Sequence, residues 1–238
     1  MFYPGYYYGG YYDTGMLLLI PAFLLMMLAQ FSVNSTFKKY ARISNSRGIT
    51  GADAARIVME QNGVYDVRIE RIRGNLTDHY DPRENVIRLS DNVYSSTTIA
   101  AAGVAAHEAG HAVQYAQGYA PIKLRNAILP ITNIGSSLAW PLIFIGLFIS
   151  SFSSLAYLGA ALFATVVVFQ LVTLPVEFNA SKRAILALAD GNILMEEEVT
   201  GAKKVLTAAA MTYLAALAVS ITQLLRILLM ISGNNRRR

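Results

Sequence analysis

A chain of 238 residues is long enough for one sizeable domain, yet 54% of it is hydrophobic and only 15% is charged, a balance that excludes an ordinary soluble protein and makes the bilayer the natural solvent for its long uncharged runs. It has no cysteine, so disulfide frameworks, thiolate metal sites and cysteine nucleophiles are excluded together, and any metal must be held by His, Asp or Glu. The net charge of +5 sits in Lys and Arg that flank the apolar runs, which reads as membrane orientation and not as nucleic-acid binding.

Residues 1–33 begin with six of the fourteen tyrosines (Tyr3, Tyr6, Tyr7, Tyr8, Tyr11, Tyr12) and no Lys or Arg, an interfacial aromatic belt in front of a first span from Met16 to Val33. Lys38, Lys39, Arg42 and Arg47 follow at once, which puts the N-terminus outside and the next loop in the cytoplasm. Residues 34–127 are the only part with soluble character. Thr50 caps an expected helix over Gly51 to Gln61, with Gly63 as its stop. Tyr65 to Ile72 and Asn85 to Ser90 read as two strands, separated by turn-rich residues around Asp78, His79, Tyr80 and Asp81. Thr97 or Thr98 then caps a helix reaching about Gln117, and Gly118 ends it. Residues 128–174 form an expected transmembrane hairpin, Ile128 to Ile149 and Ala156 to Leu174, around a Ser-rich turn. A helix within 175–204 and an apolar helix with a basic tail over 205–238 complete the chain, the last apolar run being Val205 to Ile231.

His107, Glu108 and His111 form HExxH on the Ala-rich helix. Positions i and i+4 of a helix lie about 40° apart on one face, so both imidazoles can reach one zinc ion. Glu108 then borders the open coordination position, where it can take the proton of a water made acidic by the metal. A third ligand is required. No His follows His111, and Gln114 and Gln117 stand where HExxHxxGxxH needs Gly and His, so the acids after the motif are the pool: Glu177, Asp190 and Glu196 to Glu198. Pro175 favours a new helix start, which puts Glu177 in a first turn whose positive end keeps a carboxylate ionised. Asp190, followed by Gly191, is the alternative, as in site-2-type intramembrane proteases, although the Asn-Pro that usually precedes such an Asp is absent. His79 could donate to the oxyanion of the tetrahedral intermediate, or could simply bond locally within its turn.

The stretches LTDHYDPRENVIRLS (Leu76 to Ser90), HEAGHAVQ (His107 to Gln114) and LPVEFNASKRA (Leu174 to Ala184) resemble those of the YugP-like bacterial membrane zinc metallopeptidases, over nearly the whole chain from Met16 onward. The resemblance implies a more distant likeness to HtpX/Ste24-type integral-membrane gluzincins. It implies a mainly α-helical transmembrane bundle bearing a small α+β zincin-like (minigluzincin) domain with HExxH on a helix, and Glu177 as third ligand. Ser181 stands where those proteins typically place an Asp that supports a zinc-ligand His. Either Asn179 or Ser181 could take over that support. The expected activity is endopeptidase hydrolysis using Zn2+, with a protein or peptide substrate laid along Asn85 to Ser90 as an edge strand, the lipid bilayer as the other partner and no nucleic acid. The alternative from another class is a non-catalytic zinc-binding membrane scaffold, which has no need of Glu108.

Overall fold

The computed structural model describes residues 14–235, so the tyrosine belt from Tyr3 to Tyr12 and the basic tail after residue 235 lie outside the described residues. In chain order the elements are α1 (Thr14–Tyr40), α2 (Gly51–Gln61), β1 (Arg68–Ile72), β2 (His79–Asp81), β3 (Val86–Ser90), α3 (Asp91–Tyr94), α4 (Ile99–Ala116), α5 (Ala120–Phe148), a 3-10 turn (Ser150–Phe152), α6 (Ser154–Asp190) and α7 (Glu196–Asn235). Four of them, α1, α5, α6 and α7, are long and apolar enough to cross a membrane. Their large apolar side chains, Phe23, Phe31, Phe148 and Leu171 among them, are turned outward, as expected where lipid and not protein covers the surface.

The helix starts in the polar part follow from their caps. Thr50 accepts from the Asp53 amide at 3.1 Å and Thr98 from the Ala101 amide at 3.3 Å, each satisfying a donor that a first turn leaves free. Gly63 and Gly118 follow α2 and α4 at φ 71° and 64°, the left-handed region that favours glycine. The sheet has the order β1-β3-β2, with β1 parallel and β2 antiparallel to β3. Val86, Ile87 and Leu89 of β3 are buried, and Ile87 and Leu89 share one core with Val58 of α2, Val93 of α3 and the alanines of α4.

Three expectations are corrected. Asn85 to Ser90 is the central strand and has no free edge; the third strand, β2, forms inside the turn-rich segment because its backbone pairs with the well-buried β3. Pro175 starts no helix. It lies inside the continuous 37-residue α6, which an apolar helix packed among neighbours can carry through. Glu177 therefore lies in mid-helix, away from any helix dipole end. Likewise Val205 is not where the last helix begins: Glu196 to Glu198 open the single 40-residue α7, where acids suit the first turn.

The packing of α4 depends on small residues. Gly103 faces Ala202 of α7, and a Cβ at Gly110 would stand 2.7 Å from the Ala180 carbonyl oxygen of α6. Alanine normally improves on glycine inside a helix by about 1 kcal/mol. Here the added methyl meets backbone, so Gly110→Ala is expected to destabilise by about 1–3 kcal/mol through overpacking, lowering the thermal midpoint in detergent. A raised midpoint would show that α4 and α6 are not in this close contact.

Candidate metal centre

The approach of α4 to α6 brings His107 and His111 against Glu177. The Nε2 atoms of the two histidines lie 3.3 Å and 3.6 Å from Glu177 Oε2, and the three side chains form the one such group of potential metal ligands among the described residues. Glu177 is only 3% exposed. Among the described residues, its Oε2 is the one buried side-chain nitrogen or oxygen without a hydrogen-bond partner. An orphaned carboxylate oxygen beside two imidazole nitrogens asks for a cation. The spacing fits zinc, because ligand atoms 2.0–2.1 Å from a tetrahedral ion stand about 3.3 Å apart.

Both histidines are held from behind at Nδ1. Gln114 Nε2 donates to the Val176 carbonyl at 2.8 Å and to Asn179 Oδ1 at 3.0 Å. Its Oε1 must then accept from His111 Nδ1, 3.0 Å away, which turns Nε2 towards Glu177. Asn179 is oriented in turn by Arg183 Nε, which donates to it at 2.7 Å. Ser181 Oγ stands 3.2 Å from His107 Nδ1, so the serine that replaces the expected Asp does reach a histidine. Burial lowers the pKa of His111, but hydrogen bonding to Glu177 and the charges of Glu108 and Glu177 outweigh this and raise it above its ordinary value. A metal entering here would compete with protons for this nitrogen.

Glu108 Oε2 accepts from the Tyr80 amide at 3.0 Å, so β2 delivers a backbone donor to the motif helix. Tyr80 is fixed by its hydroxyl, which donates to Asn85 Oδ1 at 2.8 Å, and by an edge-on contact with Tyr115 at 5.4 Å between centroids. Burial and the neighbouring Tyr115, Asp66 and Asp81 push its phenol up to about 12. Asp78, half-buried at the edge of the cleft, accepts from the Ser90 amide at 2.7 Å, and partial burial raises its pKa. A cleft of about 530 Å³ opens over His107, Glu108, His111 and Glu177, bounded by β2 and the start of α5.

His79 lines this cleft, but its Nδ1 is 2.8 Å from the Thr77 carbonyl and the residue is exposed, so the local bond and the cleft position coexist. Asp190 lies thirteen residues beyond Glu177 on α6, roughly 20 Å along the helix, and borders a different cavity with Gln61 and Lys182. Sequence reasoning passed over Tyr213 of α7, which lines the cleft together with Glu177. A hydroxyl inside an apolar span was the available signal. It also read Gln114 only as a failed zincin position, although i and i+3 share a helix face and place it beside His111.

Gln114→Met keeps the volume but removes the acceptor for His111. Loss of such support costs about 10–100-fold in metal affinity, a drop that chelator competition would reveal; unchanged affinity would remove Gln114 from the account.

The comparisons agree with this chemistry. The family model described as "Putative neutral zinc metallopeptidase" matches residues 15–232. A curated relative, "Putative membrane protease YugP" of Bacillus subtilis (strain 168), is 46% identical over 219 residues, covering 92% of this chain and 97% of the relative. No solved structure matches the chain. With a His107, His111 and Glu177 group that could hold a metal inside a match that spans nearly all its length, the chain belongs to the family described as "Putative neutral zinc metallopeptidase".

Proposed function

We propose that the protein is a multi-pass membrane endopeptidase with a zincin-like site, in which His107, His111 and Glu177 hold one Zn2+ and Glu108 is the general base. The observation that carries this reading is the convergence of two imidazole Nε2 atoms on the orphaned Oε2 of Glu177, with a second carboxylate, Glu108, at the same cleft. Zinc, when bound, supplies Lewis-acid activation of a water and of the scissile carbonyl. Glu108 takes the proton from the attacking water and passes it to the leaving nitrogen. The Tyr80 amide holds one oxygen of Glu108 and so aims the other. Because β3 is central, the edge open to an extended substrate is that of β2, where Tyr80 turns its amide towards the site.

The site sits just outside the bilayer on this reading. α6 has 37 residues, roughly 55 Å of helix, against about 30 Å of hydrocarbon. A span beginning at Ser154 is complete near Thr173, and Glu177 stands one turn beyond it. Lys38, Lys39, Arg42 and Arg47 at and after the end of α1, with Lys123 and Arg125 at the start of α5, against a turn from Ser150 to Ser154 that has no basic residue, support a cytoplasmic side for the site.

Purified Glu108→Gln is expected to keep zinc and lose peptide hydrolysis by at least about 100-fold, whereas Glu177→Ala loses most of its zinc; proteolysis by Glu108→Gln at the wild-type rate would reject the mechanism. For topology, a cysteine at Ser153 of this natively cysteine-free chain should react with a membrane-impermeant maleimide in intact cells while one at Ser46 is protected. The reverse pattern would put the site outside.

A further inference from the structure

A groove of about 580 Å³ lies between α1 and α7, away from the metal centre. Lys39 comes from the last turn of α1, and Lys203 and Lys204 from the third turn of α7; all three are exposed. Among the described residues no carboxylate lies within ion-pair distance of any of them, the only charge contact being Lys39 over the Tyr40 ring at 5.5 Å. Thr36 and Thr207 add hydroxyls beside the ammonium groups, and Met211, one turn further along α7, gives the groove an apolar floor. The order of these residues along the helices matters. On α1 the cationic end of the groove begins just past the uncharged run that closes at Val33, the depth at which headgroups meet hydrocarbon. Three uncompensated positive charges in one groove, with hydroxyl donors at headgroup depth and an apolar continuation toward the membrane interior, match one ligand chemistry. That chemistry is a phosphate ester attached to an acyl chain.

We propose that this groove binds the headgroup of an anionic phospholipid, its phosphate held by Lys39, Lys203 and Lys204 and its upper acyl chain lying over Met211. Basic pockets between membrane helices recognise anionic headgroups in this manner, each lysine near the surface contributing about fivefold to affinity. The three lysines together are worth on the order of 100-fold. A loose annular shell, in contrast, follows total basic charge and ignores its location.

The test uses the full chain in nanodiscs of mixed phosphatidylglycerol and phosphatidylcholine, with lipid retained after detergent extraction counted by native mass spectrometry. Wild type should retain one phosphatidylglycerol in preference to phosphatidylcholine. The triple variant Lys39→Gln, Lys203→Gln, Lys204→Gln should lose that preference by on the order of 100-fold. A control with the same change of net charge, Lys38→Gln, Lys123→Gln, Lys182→Gln, should keep it. Equal loss in both triples would overturn the groove in favour of non-specific surface charge, as would equal retention in both. Glycerol phosphate added in solution should fail to displace the retained lipid; displacement as effective as that by phosphatidylglycerol would make the ligand a soluble phosphate and overturn the lipid assignment.

Discussion

The close approach of α4 to α6 is the constraint on which the site depends. Gly110, between the two motif histidines, faces the Ala180 carbonyl at a distance that leaves no room for a side chain. That contact sets how near the imidazoles come to Glu177, which lies about one turn before Ala180. Alanines at 105, 106, 109 and 112 let the same helix be buried on nearly every side without large side chains. The motif helix is thus positioned by backbone proximity, and its chemistry is inherited from that geometry.

Electrostatics then follow from burial. A carboxylate as enclosed as Glu177 is costly unless a positive charge stands beside it. In this fold the partners available are two imidazoles, whose far nitrogens are already engaged by Ser181 and by Gln114. The near nitrogens both face the one Glu177 oxygen, so a single cation placed between them would meet all three side chains. Gln114 serves two purposes at once. It sets the tautomer of His111, and through Val176 and Asn179 it ties the motif helix to the segment of α6 that carries Glu177.

Much of this was legible in the residues, for identifiable reasons. Thr50 and Thr98 act as caps because their hydroxyls satisfy local donors, so both helix starts could be placed. HExxH needs only the helical repeat to bring His107 and His111 to one face. The pairing of Glu177 with them was reached by elimination among few acids and by resemblance, while the physical argument first attached to it, a helix start at Pro175, does not describe α6. Local rules treat proline as a boundary, whereas the long apolar helix is held by its neighbours on both sides. β2 escaped notice for a similar reason: three residues rich in turn formers become a strand only once β3 is present to pair with them. Tyr213 is separated from the motif by two whole helices, and no spacing rule connects them.

The central claim is that two histidines on one helix and a mid-helix carboxylate on another hold the same zinc ion. Zinc-edge anomalous diffraction from the zinc-loaded wild-type protein measures this directly. The account predicts a single anomalous peak within about 2.0–2.2 Å of His107 Nε2, His111 Nε2 and a carboxylate oxygen of Glu177. A peak ligated by Asp190, or one that leaves Glu177 uncoordinated, would contradict it.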